Sequence, residues 1–425
     1  MSGARSPAAD VSGSAIRPRV LLVTPQPFFR LAGTPMNVRL MCQALAELGF
    51  AIDLLTFPFG EDLRLPHVRQ SRVWPILGLR HIPIGFSLTK VAYDVLLAGL
   101  VAAKLARRRY AAVHAIEEAA FFALPMAWLR GVPTIMDLDS DLEHQLRDSS
   151  SALVRWLAPA ARVIRRLVLK RSTAAVTVAG HLTELVRREC PRIAVFEIRD
   201  IPLAEALDPV DAGEVAALRR ELALGAGPIA VYTGNFDRRQ GLLELLQGWA
   251  EVRRALPRAQ LVVVGGDGAA VASLRARFAL DPGTGADPAV IFTGSRPPRE
   301  MPVFMALADA LVSPRLEPLV TPFKIYTYMA SGRPIVATAL PTHQEVLDDS
   351  AAFLVEPTPA GLAEGLIAAF SEPEDAARRA VAARVLVDTH HNYHVFKRRI
   401  GQLYAGIRGC NGAGAAAAAA LGSSD

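Results

Sequence analysis

The sequence predicts an α/β protein made of two Rossmann-like, doubly wound domains that face each other across a cleft. The first observation is size, since 425 residues with 51% hydrophobic side chains can fill two separate cores. The second is an alternation of continuous apolar runs with helical segments from Arg19 to about Asp388, which is typical of parallel sheets covered on both faces. The third is a restart of that alternation at "PIAVYTG", residues 228–234, which divides the chain into two similar halves.

The first half is predicted to span residues 19–205 and to begin with a strand at residues 20–25. A helix from Pro35 to Leu48 follows, and Gly49 is expected to end it. The later strands of this half are predicted from further apolar runs at residues 51–57, 111–116, 133–138 and 174–179.

The second half is predicted to span residues 206–388, after a linker region at roughly 200–226. A helix is predicted at residues 241–256. Because ligands of doubly wound sheets bind at the carboxyl ends of the strands, the cleft between the halves is the expected site. The strands of this half are predicted at residues 228–234, 260–266, 289–294, 310–314 and 335–338.

The segments outside the two halves carry separate expectations. Residues 389–408 include an amphipathic stretch at 393–407, which is expected to pack back on the first domain as a helix. Residues 1–18 lack the apolar core of a signal peptide, and residues 409–425 are low-complexity. Both ends are therefore expected to be disordered.

Composition limits the class of partner and the compartment. The formal charge of +6 suits an anionic partner without identifying it. The three cysteines, Cys42, Cys190 and Cys410, lie far apart, which favours a reducing cytoplasm over a disulfide framework or a zinc site. The apolar stretch at residues 95–103 is well short of the roughly 20 residues that a membrane crossing needs.

Two basic amphipathic stretches in the first half leave an alternative open. Residues 89–109 end in a cluster of arginines, and residues 152–171 carry basic side chains along a helical pattern. Such helices can lie on an anionic bilayer. They are equally consistent with core-facing helices that have a solvated basic face.

The stretch "TPFKIYTYMASGRPIVAT", residues 321–338, predicts a short helix followed by a buried strand. Thr321 suits the N-cap, Pro322 the first helical position and Gly332 the left-handed position after the last turn. Lys324 then stands in the first turn, where the helix dipole favours anions. A lysine at this place predicts that the helix start faces an anion.

An ordered set of motifs resembles the family 4 glycosyltransferases of the two-domain GT-B type. The set consists of residues 33–56, 231–252, 261–268, 291–314 and 321–338. The resemblance implies transfer of a sugar, with retention at the anomeric carbon and without a metal, from a nucleotide-diphosphate sugar to the hydroxyl of a glycan or lipid-linked acceptor. The donor is then a co-substrate and no cofactor is expected. The resemblance further implies a cytoplasmic protein of glycan, polysaccharide or glycolipid synthesis that binds no nucleic acid, with a possible peripheral place on the inner face of the plasma membrane.

The sequence departs from the family pattern at positions that usually contact the donor. Two glutamates normally stand eight residues apart around the helix that opens the stretch 321–338, and here these positions are Leu319 and Thr327. An arginine and a lysine normally follow the first strand of the second half, where this chain has Asn235 and Gln240. The resemblance thus implies a variant branch.

Candidate donor contacts lie at strand ends and helix starts of both halves. Lys324 and Arg315 are expected to hold the diphosphate, although each could be a solvent-facing cation. Gly234 would let backbone approach a phosphate, and Gly33 would let its loop close over the diphosphate, although either could serve only a tight turn. The remaining candidates are the neighbours of these residues, Asn235, Gln240, Gly241, Thr321 and Thr327.

The acceptor side is predicted in the first half. His114 is expected at the end of a strand, where it could position or deprotonate the acceptor hydroxyl, and it matches a family position near the acceptor. The alternative is a buried histidine bonded to backbone. Either Glu117 or Glu118 could orient the acceptor while the other caps the following helix, and Asp139 is a further candidate at a strand end.

Two other functions are compatible with the same fold. A non-catalytic relative would bind a sugar or a partner after losing the usual glutamates and cations. A nucleotide-sugar epimerase would be expected to carry more acidic and histidine side chains in the cleft.

Overall fold

The computed structural model describes residues 17–410 except 30–32, 63, 80–81, 83–86, 148–151, 203–208, 279–288 and 319. The N-terminal stretch 1–16, the C-terminal stretch 411–425 and the family position Leu319 therefore lie outside the described residues.

The first domain contains a parallel sheet of seven strands in the order β3-β2-β1-β4-β5-β6-β7. Its strands are β1 (Arg19–Pro27), β2 (Ala51–Phe57), β3 (Val68–Arg72), β4 (Ala112–Ile116), β5 (Thr134–Leu138), β6 (Ala174–Thr177) and β7 (Ala194–Glu197). Its helices are α1 (Gly33–Glu47), α2 (Leu88–Arg107), α3 (Ala120–Trp128), α4 (Leu142–Arg147), α5 (Ala152–Arg155), α6 (Ala158–Arg171) and α7 (Gly180–Glu189).

The second domain contains a parallel sheet of six strands in the order β10-β9-β8-β11-β12-β13. Its strands are β8 (Ile229–Thr233), β9 (Gln260–Val264), β10 (Val290–Gly294), β11 (Ala310–Ser313), β12 (Ile335–Thr338) and β13 (Phe353–Val355). The remaining helices are α8 (Ala212–Glu221), α9 (Leu242–Ala255), α10 (Gly268–Arg277), α11 (Met301–Leu307), α12 (Phe323–Ser331), α13 (Pro341–Gln344), α14 (Pro359–Ser371), α15 (Pro373–His390) and α16 (Tyr393–Cys410).

The expected fold class is confirmed, and the inner strands lie where the apolar runs predicted them. The strands β3, β7 and β13 were not predicted from the sequence, and each of these is an edge strand of its sheet. The single helix predicted over 152–171 is two helices here, with Pro159 in the first turn of α6.

Helices cover both faces of the first sheet. On one face α1 and α16 pack over β1, and α16 contributes Phe396, Ile400 and Leu403 to the core. On the other face α2, α3 and α6 pack over the same strands. The last helix therefore belongs to the core of the first domain, although it follows the second domain in the chain.

Each sheet has a point where the chain order reverses. In the first sheet β1 lies beside β4, and in the second sheet β8 lies beside β11. Doubly wound sheets open a crevice outside the carboxyl ends of such neighbouring strands. We call the space beyond β1 and β4 the first crevice and the space beyond β8 and β11 the second crevice.

The local prediction for residues 321–338 is confirmed at its end and wrong at its start. Gly332 adopts a left-handed conformation with φ of +68° after α12. The N-cap position, however, belongs to Pro322, and the Thr321 hydroxyl donates to the Thr342 carbonyl at 2.9 Å. Thr321 therefore ties the start of α12 to α13.

Two glycines with similar backbone angles should differ in their tolerance of a side chain. Gly241 has φ of +71°, and a Cβ there would lie 1.6 Å from the Pro314 carbonyl oxygen, whereas a Cβ on Gly332 would contact nothing within 4 Å. Gly332→Ala should cost about 1–2 kcal/mol, the penalty of a left-handed Cβ. Gly241→Ala should cost at least about 3 kcal/mol because overpacking adds to that penalty. Urea unfolding midpoints of the two variants test this, and equal losses would contradict the close packing at Gly241.

Candidate functional site

The second crevice holds a lysine between a carbonyl group and an aromatic ring. The Lys324 Nζ atom donates to the Thr233 carbonyl oxygen at 3.0 Å. It also lies 4.2 Å from the centroid of the Tyr232 ring, within cation–π range. Lys324 comes from the first turn of α12, and Tyr232 and Thr233 end β8. The helix start and the strand end are thus joined at the switch point of the sheet.

Arg315 adds a second cation to the same crevice. It follows β11, its Nη1 atom donates to the Val320 carbonyl at 2.8 Å, and its buried Nε atom has no hydrogen-bond partner within the described structure. Burial, and secondarily the charge of Arg315, lowers the pKa of the Lys324 ammonium to about 7. Among the described residues neither cation forms an ion pair with a carboxylate. The second crevice therefore has positive charge available for an anion.

Glycine keeps the floor of the second crevice open. Gly234 has φ of +150°, and a Cβ there would lie 3.0 Å from the Tyr232 hydroxyl and 3.6 Å from Lys324 Nζ. A Cβ on Gly265 would lie 1.9 Å from the Gly234 carbonyl oxygen, so there is no room for a side chain there. These close approaches favour a packing role for Gly234, and the missing side chain leaves space beside the Lys324 ammonium. A Cβ on Gly33, by contrast, would contact nothing within 4 Å, so no close approach in the described structure requires glycine there.

The other donor candidates lie near this point without a shared network. The Asn235 Oδ1 atom accepts from the Asp237 amide at 3.3 Å, and its carbonyl accepts from the Tyr232 hydroxyl at 2.7 Å. Gln240 ends a short 3-10 turn, and Gly241 is the N-cap residue of α9. Thr327 is buried one turn beyond Lys324 on α12.

His343 is a buried histidine beneath the second crevice, and it was not predicted from the sequence. His343 Nδ1 lies 2.7 Å from the Thr338 carbonyl and must donate to it, so Nε2 accepts from the Ser313 hydroxyl at 3.1 Å. Burial lowers the pKa of His343 to about 4, which keeps the ring neutral at physiological pH. The Thr338 hydroxyl donates in turn to the Arg315 carbonyl at 2.7 Å. This chain of bonds fixes the backbone that carries Arg315.

The first crevice gathers carboxylates at the ends of β4 and β5. Glu117 directly follows β4 with φ of +50°, and it accepts from Gln26 at 3.3 Å and from Ser140 at 2.7 Å. Burial, and then the charges of Asp137 and Glu117, raises the pKa of Asp139 well above its usual range, while Thr34 hydrogen bonds to this carboxyl. Glu117 and Asp139, both predicted on the acceptor side, thus lie together near Thr34, the residue that follows Gly33.

A further carboxyl belongs to this group, and the sequence analysis did not identify it. Burial and the charge of Asp137 raise the pKa of Asp200 to about 7. Glu118, the neighbour of Glu117, forms an ion pair with Lys90 of α2 at the border of the crevice. The first crevice is therefore lined by carboxyl groups that repel one another.

The expectation for His114 is wrong in its placement. His114 is the middle residue of β4 and is fully buried, and Glu117 occupies the strand end instead. Its Nε2 atom lies 3.0 Å from Asp137 Oδ2 and must donate there, so Nδ1 accepts from the Tyr404 hydroxyl of α16 at 2.9 Å. Because both ring nitrogens are occupied beneath a core helix, an acceptor hydroxyl does not reach His114 in this arrangement.

Polar and apolar contacts join the second domain to the first. The Glu345 carboxylate, beside α13, accepts from the amides of Gly180 and His181 at 3.2 and 3.3 Å, at the start of α7. Arg199 donates to the Glu345 carbonyl at 2.7 Å. Phe323, the first residue of α12, packs against the α1 and α16 core of the first domain. The start of α12 therefore borders the cleft between the domains.

Neither a metal site nor a membrane-spanning helix is found among the described residues. No group of three or more His, Cys, Asp or Glu side chains in the described ranges is arranged to hold a metal ion. None of the described helices combines the length and apolarity that a bilayer crossing requires.

Family models match both domains. The model for the glycosyl transferase 4-like domain matches residues 32–196, and the model for glycosyl transferases group 1 matches residues 227–372. The chain belongs to the family 4 glycosyltransferases. The resemblance drawn from the sequence is therefore confirmed at the level of family and fold, and glycosyl transfer is the general activity of this glycosyltransferase.

Solved structures show the same GT-B fold. Sucrose-phosphate synthase from Thermosynechococcus elongatus aligns with a TM-score of 0.74 and 21% identity over 93% of this chain and 100% of its own. HepE from Anabaena, solved in complex with UDP-glucose, aligns with a TM-score of 0.67 and 15% identity over 91% and 99% of the two chains. WaaG, a glycosyltransferase involved in lipopolysaccharide biosynthesis, gives 0.69 and 15% over 90% and 99%. No curated protein matches the chain in a sequence search.

Removing the His114 ring should destabilise the first domain but should have little effect on the rate of sugar transfer per folded molecule. His114→Phe keeps the volume but leaves the Asp137 carboxylate without its histidine partner, which should lower the free energy of unfolding by about 1–3 kcal/mol. Tyr404→Phe removes one bond of the same network and should cost only about 1 kcal/mol. Chemical unfolding measures both variants, and sugar transfer is compared per folded molecule. A variant of unchanged stability with a transfer rate reduced about 10²-fold or more would restore an acceptor role for His114.

Proposed function

We propose that this glycosyltransferase moves a sugar from a nucleoside diphosphate sugar to an acceptor hydroxyl with retention at the anomeric carbon, in the assembly of a glycan, polysaccharide or glycolipid. The observation that carries the proposal is the pair of cations in the second crevice, Lys324 and Arg315, which have no carboxylate partner in the described structure. A buried cation without a counter-ion is costly unless an anion arrives.

A diphosphate fits this arrangement in charge and in shape. Lys324 projects from the first turn of α12, where backbone amides and the helix dipole favour an anion. Gly234 leaves the space beside the ammonium free of a side chain. Support also comes from HepE, a structural neighbour solved with UDP and with UDP-glucose.

The proposed step breaks the bond between the anomeric carbon and the diphosphate oxygen, and the electron pair leaves with the diphosphate. Lys324 and Arg315 stabilise the negative charge that develops on this leaving group, so the protein's own cations take the role that a divalent metal has in other enzymes. The acceptor oxygen bonds to the same face of the sugar, and its proton passes to the departing phosphate oxygen. The products are the glycoside and the nucleoside diphosphate.

The acceptor is proposed to enter at the first crevice. Glu117, held by Gln26 and Ser140, offers carboxylate oxygens to sugar hydroxyls at the edge of β4. Burial raises the pKa of Asp139 well above its usual range, so this carboxyl keeps its proton to higher pH than an exposed aspartate and, when protonated, can donate a hydrogen bond. These groups orient an acceptor and require no part for His114.

Lys324→Ala should weaken the binding of a nucleoside diphosphate by about 1.5–3 kcal/mol, the worth of a hydrogen bond to a charged group. Titration calorimetry with UDP and the other nucleoside diphosphates measures this loss and identifies the preferred base. Lys397→Ala is the matched control, because Lys397 pairs with Glu47 on the outside of the first domain and should leave affinity unchanged. Equal affinities in the parent and Lys324→Ala would exclude the proposed diphosphate contact.

The stereochemical part of the proposal has its own readout. With the preferred donor and water as acceptor, the anomer released first is followed by proton NMR before mutarotation. The donor's configuration in that first product is expected, and the opposite configuration would exclude retention. A parent protein that binds diphosphates but releases no sugar with any donor or acceptor would indicate a non-catalytic relative.

A further inference from the structure

One outer surface of the first domain is apolar where a globular protein normally presents charge. The helices α2, α3 and α6 form one layer over the sheet, with α3 in contact with both others. All but two of the large apolar side chains that are exposed within the described structure lie between residues 74 and 167, and the two exceptions are Val381 and Val385 of α15. Isolated exposed apolar residues are ordinary, but a contiguous set marks an interaction surface.

The solvent side of α2 illustrates the pattern. Its most exposed large side chains are Leu88 and Val95, at 82% and 67%. The lysines of α2 point elsewhere, since Lys90 pairs with Glu118 and Lys104 donates to the Ser71 hydroxyl. A surface helix usually carries its charged residues on the solvent side, and α2 reverses this. Its exposed positions are Leu88, Val91, Val95, Leu96, Gly99, Ala102 and Ala106, with no charge before Arg107.

The solvent side of α6 combines apolar and basic residues. Val163, Ile164 and Leu167 are 56%, 41% and 56% exposed. At about 100° per residue they share one arc with the exposed Arg166 and Lys170. No acidic residue occurs between residues 152 and 171. This composition is that of a helix lying in the interface of an anionic bilayer.

The loop after β3 extends the same surface. The Tyr93 hydroxyl of α2 accepts from the Ile76 amide at 3.1 Å and donates to the Leu79 carbonyl at 2.9 Å. This anchor holds Trp74 and Leu77, which are 87% and 102% exposed, beside α2. Tryptophan is preferred at the boundary between lipid and water.

We propose that this surface docks on the anionic face of a lipid bilayer. We call it the docking face, and it consists of Trp74, Leu77, Leu88, Val91, Val95, Leu129, Trp156, Val163, Ile164, Leu167 and the basic residues Arg107, Arg108, Arg109, Arg130, Arg166, Lys170 and Arg171.

Charge decides between a lipid surface and a second copy of the chain. The carboxyl-terminal ends of α2, α3 and α6 bring basic residues to one edge of the docking face. At this edge the Arg171 guanidinium carbon lies 5.6 Å from the centroid of the Trp128 ring. A two-fold dimer would place one such face against another, and the like charges would repel. Anionic headgroups are attracted by each basic side chain near the surface.

Docking along the length of α2 brings the first turn of this helix, at the border of the first crevice, close to the bilayer. The first turn of α2 borders both, because Leu88 is on the docking face and Lys90 contacts Glu118 beside the crevice. We therefore infer that the acceptor is lipid-linked, a step that rests on the proposed function. The docking face itself does not depend on that function.

The test compares matched substitutions in vesicle sedimentation. Val95→Glu and Leu167→Glu place a negative charge on the docking face, whereas Val381→Glu alters a valine that is 65% exposed in the second domain. With vesicles of equal phosphatidylcholine and phosphatidylglycerol, the two docking-face variants should lose at least about tenfold in partition coefficient, and Val381→Glu should match the parent. Lys170→Gln should lose about fivefold with these vesicles and nothing with phosphatidylcholine alone.

Several outcomes would overturn the docking face. They are absence of binding at low ionic strength, equal loss in all three glutamate variants, or a parent dimer that Leu167→Glu converts to a monomer in sedimentation velocity. Circular dichroism confirms that each variant is folded. Nucleoside diphosphate affinity of the same variants should equal that of the parent, so failure of the docking face and failure of the proposed function give different results.

Discussion

The ammonium group of Lys324 is the constraint around which the second domain is arranged. It sits on the Tyr232 ring and bonds the Thr233 carbonyl, and neither contact removes its charge. The chain has five lysines among its 47 basic residues, and Lys324 is the one lysine between residues 206 and 388. Arginine is therefore the usual cation of the second domain. At this site the cation is instead the more compact ammonium group of a lysine, which fits beside Gly234. Burial keeps its pKa near 7, so an arriving anion strengthens a charge that the free protein holds weakly.

The two crevices have opposite electrostatic character, and together they suit the two partners of a transfer reaction. Lys324 and Arg315 offer positive charge to a leaving diphosphate, while Glu117, Asp139 and Asp200 offer carboxyl groups to acceptor hydroxyls. A hydrogen-bonded, buried histidine lies beneath each crevice, His343 in the second domain and His114 in the first. The docking face adds a third surface, which relates the first crevice to a bilayer.

The sequence predicted most of the fold because inner strands of parallel sheets are continuous apolar runs. Edge strands such as β3, with the sequence "VRQSR", lack that signal. Lys324 could be predicted since a cation in the first turn of a helix conflicts with the dipole. His114 could not be placed, because a strand prediction is uncertain by a few residues and its partner Tyr404 is 290 residues away. His343 gave no local pattern at all, as its role depends on contacts with two strand ends.

The titration of Lys324 tests the central claim most directly. In protein labelled with carbon-13 at the lysines, five Cε resonances are expected, and Lys324→Arg assigns the relevant one. This resonance should titrate near pH 7 in the free protein and at least about one pH unit higher with a saturating nucleoside diphosphate, because a bound anion favours the charged ammonium. A pKa that does not rise when the diphosphate binds would show that Lys324 does not contact it.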